Sequence, residues 1–211
     1  MRYSTLLTSL GALATVFAHP TTDVRARGKA PGCLTEPTPE FLAAAHEMNV
    51  QELNGTIARV STADFSAAAT ITVPVYFHVV AKSTSLSGGY IPTSQLTSQL
   101  QVMNSNYAPH GISFVLQGTD YTVNSAWATD GAELTMKKTL RKGDYKTLNI
   151  YFQYSLVDDA FGYCYFPTSV TTGSDDFYYD GCTILYSTVP GGSSTNFNEG
   201  KTVTHEVGHC K

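Results

Sequence analysis

Hydrophobic and polar positions along the chain follow two periods that take turns. Residues 71–81, ITVPVYFHVVA, are rich in β-branched and aromatic side chains and read as a strand, with Pro74 pointing to an edge position or a bulge. Residues 93–107, TSQLTSQLQVMNSNY, set Leu96, Leu100 and Met103 on one helical stripe opened by Pro92-Thr93. GISFVLQGTDYTV then predicts a second strand, DGAELTMKKTLRKG a second helix closed by Gly143, and TLNIYFQYS a third strand. The order β-α-β-α-β predicts an α/β (α+β) fold, a twisted mixed sheet with helices packed on it. GYCYFP and DGCTILYS read as two further short strands, and PGGSSTNFN as the loop before a last helical segment. Upstream, Pro39 to Val50 carries a helical pattern behind Thr38, a usable N-cap.

The 211 residues, 42% hydrophobic and 14% charged, suffice for one packed unit, expected to be a monomer. Net charge is -4, and the basic runs go no further than Lys137-Lys138 and Arg141-Lys142, which argues against nucleic acid or an anionic membrane as partner. The start changes the picture more. Arg2, an apolar stretch from Leu6 to Ala18 and the small Val16 and Ala18 read as a signal peptide over residues 1–18, too short to span a bilayer. The chain is therefore expected to be secreted and extracellular. Residues 19–37, polar and punctuated by Pro and Gly, read as a linker or short pro-segment, and 38–211 as the domain.

Secretion makes disulfides the favoured use of cysteine. Of three connectivities for Cys33, Cys164, Cys182 and Cys210, a Cys164 to Cys182 bridge ranks first, because these two flank SVTTGSDDFYYDG in neighbouring strands. Cys33 and Cys210 have no clear partner. Asp175, Asp176 and Asp180 in that stretch lack a calcium-loop spacing and read as a solvated acidic loop. Asn54-Gly55-Thr56 is an N-glycosylation acceptor.

The chemistry sits in the last segment, THEVGH. On a helix His205 and His209 share a face and suit zinc, with Glu206 placed to take a proton from a zinc-bound water that attacks a peptide carbonyl. Gly208 is expected to leave room beside the metal. A third ligand is sought among His78, read as a packed or hydrogen-bonded strand residue, His110, read as a turn residue, and Cys210, off the shared face.

From Tyr76 to His209 the chain resembles the fungal secreted metalloproteases of the pappalysin family, through YFHVVA, YAPHGISFVLQGTDYTVNSAWATDG, MKKTLRKGDYKTLNIYF, GYCYFP, DGCTILYSTVPGG and THEVGH. The resemblance implies a metzincin-like catalytic subdomain, one zinc ion on His205 and His209, Glu206 as catalytic base, and extracellular proteins or peptides as substrates. The family continues with a glycine bend, a third histidine and a methionine turn. None is present, so the C-terminal subdomain is expected to be missing and this chain to be inactive. The alternative is a non-catalytic secreted fragment that binds peptide along an exposed edge strand such as Gly162 to Phe166.

Overall fold

The computed structural model describes residues 32–55 and 70–210. The expected signal peptide, residues 19–31 and Thr56 of the glycosylation triplet lie outside these. Asn54 is exposed at the end of α1 (Pro39–Leu53), whose first turn is capped as expected, Phe41 N–H donating to Thr38 Oγ1 at 3.2 Å.

Alternation along β1 (Ile71–Ala81) decides the layers. Val73, Val75, Phe77 and Val79 turn to one face and His78 and Val80 to the other. Both faces are covered, so nearly every residue of the strand beyond Pro74 is buried. β2 (Ile112–Val123) and β3 (Leu148–Gln153) flank β1 in parallel, β5 (Cys182–Leu185) runs parallel to β3, and β4 (Gly162–Cys164) closes the edge antiparallel to β5. The strand order is β2-β1-β3-β5-β4, the mixed sheet expected.

On the first face lie α2 (Thr93–Tyr107) and α6 (Lys201–Cys210), whose Leu96, Met103, Val203 and Val207 join Phe77, Phe152 and Ile184 in the main core. On the second lie α3 (Ser125–Ala128) and α4 (Glu133–Leu140), with Ala128, Met136 and Leu140 against Val80 and Tyr151. The helix expected over residues 130–143 is therefore shorter and preceded by a separate turn. Asn124 caps the separate turn, its Oδ1 accepting from Ala126 N and Trp127 N at 3.1 and 3.2 Å, and Asp130 and Ala132, at φ 60° and 61°, break the path between it and α4.

One expectation is met in its second form and another needs correction. β1 is an inner strand, and Pro74 is tolerated because pairing with β3 begins only at Val75, leaving β2 as its single neighbour; the bulge does occur, between Val75 and Tyr76. The acidic stretch is not uniformly solvated. Asp175 and Asp176 open α5 (Asp175–Tyr179), but Asp180 is buried against Arg141, 2.9 Å away.

Cys164 and Cys182 are joined, as ranked first, across directly paired positions of β4 and β5. With 18 residues of separation, the bridge stabilises the fold by about 3 kcal/mol in the chain-entropy model.

Candidate metal centre

α6 carries THEVGH because it has two kinds of face. Val203 and Val207, four apart, seat it on the sheet, and Tyr107 of α2 donates from its hydroxyl to Thr204 O at 2.9 Å. His205 is exposed and His209 half-buried, with Nε2 atoms 3.2 Å apart. Two nitrogens bound to one tetrahedral zinc at 2.0–2.1 Å lie about 3.3 Å apart, so the pair already has the spacing of two ligands.

Glu206 turns the other way and is 1% exposed. Gly162 makes room for it: a Cβ there would lie 2.8 Å from Glu206 Cγ. Burial pushes the Glu206 carboxyl above the usual carboxylate range, against hydrogen bonds that favour its charged form. Those bonds come from an unexpected quarter. Thr35 Oγ1 donates to Glu206 Oε2 at 2.9 Å, and the thiol of Cys33 lies 3.5 Å from the same oxygen.

Cys33 completes the cluster. Its Sγ is 3.7 Å from His209 Nε2, and ligating atoms of Cys33, His205, Glu206 and His209 all lie within 4.8 Å of one another. A sulfur at 2.3 Å and a nitrogen at 2.0–2.1 Å from one tetrahedral zinc are separated by about 3.6 Å. Burial raises the Cys33 thiol and lowers His209, whose neutral ring keeps its lone pair. The donor set therefore fits zinc in chemistry and in spacing.

The other ligand candidates stand apart. His78 is fully buried on the second face, its Nδ1 within 2.9 Å of Asp120 Oδ2 and its Nε2 within 2.9 Å of Asn149 Oδ1. His110 is exposed in a single-turn helix, Ala108–His110. Neither lies among the clustered ligands. Gly208 does not make room beside the cluster either; a Cβ there would meet the Tyr107 hydroxyl at 3.4 Å, an ordinary contact, because the position faces α2. Nor is the edge strand open as expected. Gly162, Tyr163 and Cys164 are buried, and residues 32–35 lie on them.

Sequence reasoning missed Cys33, 173 positions from Glu206. One signal pointed to it: with Cys164 and Cys182 paired, a leftover cysteine in a chain expected to be secreted marks a thiol with another use.

Fold and site together define a mixed α/β domain with a candidate metal centre on the helix that crosses its edge. No family model matches the chain. It is 66% identical over 144 residues to an extracellular metalloprotease of Sordaria macrospora, across 68% of this chain and 50% of that protein. It is 48% identical over 215 residues to an extracellular metalloprotease of Podospora anserina and 46% over 209 to one of Uncinocarpus reesii, each across 99% of this chain and 72% of the relative. The chain belongs to this family of fungal extracellular metalloproteases. It spans about half the length of the Sordaria relative. Metalloproteinase-II from Bacteroides fragilis is similar at 13% identity with a TM-score of 0.40, over 67% of this chain and 43% of that one, too slight a likeness to bear on the site. Among the described residues no helix is long and apolar enough to cross a membrane.

Proposed function

We propose that this chain carries the zinc-binding part of a secreted endopeptidase of the pappalysin type, with His205 and His209 as metal ligands and Glu206 as general base. The observation that carries the reading is the convergence of the two imidazole nitrogens, 3.2 Å apart, beside the buried Glu206 carboxylate. When bound, zinc supplies a Lewis acid that activates water and polarises the scissile carbonyl. Glu206 takes the proton from the attacking water and returns it to the leaving amine, a role its raised pKa suits. Gly162 and Val207 hold that carboxylate in place, the first by lacking a side chain and the second by anchoring its helix in the core. Substrates are proteins or peptides outside the cell, in keeping with the names of the relatives.

The test is zinc titration of the purified chain by calorimetry. One equivalent is expected, with affinity reduced at least a hundredfold by His205→Ala or His209→Ala and retained by Glu206→Gln. Zinc binding that both histidine variants leave untouched would overturn the assignment.

A further inference from the structure

A cavity of about 1040 Å³ opens past the C-terminal end of β4, between α1, α4 and α5, and none of Cys33, His205, Glu206 and His209 lines it. That is room for a stretch of peptide rather than a lone ion. Its lining carries six acidic residues, Glu36, Glu40, Asp130, Glu133, Asp176 and Asp180, and among the described residues no Lys, Arg or His. Aromatic rings fill the spaces between them. Phe41 meets Phe166 with ring centroids 4.2 Å apart, and Tyr165 lies 5.3 Å from Tyr179 and 6.1 Å from Tyr163. Ring faces carry negative charge density, so rings and carboxylates here attract the same thing, a cation.

Hydrogen bonds set these groups before any ligand arrives. Tyr165 donates to Glu133 Oε2 and Tyr163 to Asp130 Oδ1, each at 2.9 Å. Two buried cations lie behind the wall without using up its inner carboxylates. Asp180 is 5% exposed and its Oδ2 is 2.9 Å from Arg141 Nη2, yet among the described residues no donor is aimed at that oxygen in hydrogen-bond geometry. Glu133 Oε1 stands in the same way 2.8 Å from Lys137 Nζ. Both keep an acceptor direction open. Nearer the mouth, Glu40 and Asp176 are exposed, and among the described residues neither forms an ion pair. The wall already shows what it can hold: Lys137, reaching it from the protein interior, lies 4.8 Å from the Tyr165 ring centre and donates to Tyr179 O at 2.7 Å.

We propose that this cavity is a docking site for an arginine-bearing peptide segment, its guanidinium lying among the rings of Tyr165, Phe166 and Tyr179 and paired with the Asp176 and Glu40 carboxylates. The site goes beyond the zinc chemistry proposed above and needs no metal. Arginine suits it better than lysine, because a planar guanidinium stacks on a ring face while its fork of donors meets carboxylates, whereas an ammonium acts as a point charge. The same carboxylates repel an acidic segment, so charge sets the specificity as well as the attraction.

The experiment uses the 211-residue chain freed of metal with a chelator, and a fluorescein-labelled Gly-Ser peptide carrying arginine at alternate positions. A second peptide replaces each arginine by citrulline, its neutral isostere, and binding is read by fluorescence anisotropy. The arginine peptide is expected to bind and the citrulline peptide to bind about tenfold more weakly. Asp176→Asn and Glu40→Gln, both at exposed positions where the fold is not at stake, should together weaken the arginine peptide by about tenfold. Asp175→Asn makes the same charge change one residue outside the lining and should leave its affinity unchanged. Equal binding of the two peptides would overturn the site. So would an equal loss in Asp175→Asn and Asp176→Asn, which would reduce the effect to the general attraction of an acidic chain. A chain that binds the arginine peptide but no zinc would remove the function proposed above and leave the docking site standing.

Discussion

The two faces of the sheet bury ionisable groups in opposite ways. On the second face Lys137 is wholly buried, yet its Nζ is 2.8 Å from Glu133 Oε1, donates to Tyr179 O at 2.7 Å and lies 4.8 Å from the centre of the Tyr165 ring. His78 likewise has an acceptor at each ring nitrogen. Each of these groups meets a complementary partner at hydrogen-bond distance. On the face that carries α6 the grouping is different in kind. Two imidazole nitrogens, a thiol and a carboxylate point at one spot, metal-ligating atoms gathered within 4.8 Å of one another. Paired opposites mark scaffold; gathered like donors mark a place for a ligand.

Removing the central cation of the scaffold face should produce the largest effect. Lys137→Met leaves Glu133 without its partner and is expected to cost about 3 kcal/mol in urea unfolding, with zinc stoichiometry unchanged. A loss of zinc binding in that variant would mean the two faces are not independent. Gly162→Ala attacks the other side of the same sheet. The added methyl collides with Glu206 Cγ and Ile184 Cδ1, so about 2 kcal/mol of destabilisation is expected, and here metal affinity should fall as well.

Alkaline pH separates the faces without mutation. Burial holds the phenols of Tyr151 and Tyr163 far above their ordinary pKa, so above about pH 10 the unfolded chain releases protons that the folded chain retains. Stability is full below pH 10 and then falls by about 1.4 kcal/mol per pH unit for each phenol. Lys137, lowered by burial, acts in the opposite sense, but its contribution is complete by the ordinary lysine pKa near 10.4. Urea midpoints at pH 9, 10 and 11, read with phenolate absorbance, should show the fall; a flat profile would mean that the phenols ionise in place. Smallest of all, Asp175→Asn removes an exposed pair with Lys138, and the unfolding midpoint should move by less than about 0.5 kcal/mol.

The period of two in β1 and of 3.6 in α2 was readable because each pattern reports which residues leave water, and both elements have the bounds that the pattern predicts. His205, Glu206 and His209 were readable for a related reason: a single helix sets their spacing. Cys33 was not. Its neighbourhood is made by β4 and α6, far along the chain, and the polar, Pro/Gly-rich stretch before it shows no period that announces a strand. Asp180 was misread on the same ground, since only the fold brings Arg141 to it. Local rules place residues on faces; they do not say which faces meet.

The bridge between Cys164 and Cys182 acquires a mechanical meaning beside residues 32–35, which are bonded to β4 and the residue before it. A pull applied at residue 32 loads the bonds from Gly32, Leu34 and Thr35 one after another, the peeling geometry in which hydrogen bonds part singly. The strand beneath is riveted to β5 by a covalent link and does not follow. Rupture therefore has a set order, residues 32–35 first and sheet edge last, and a tug on the N-terminal side bares the edge of β4 while leaving its pairing with β5 intact.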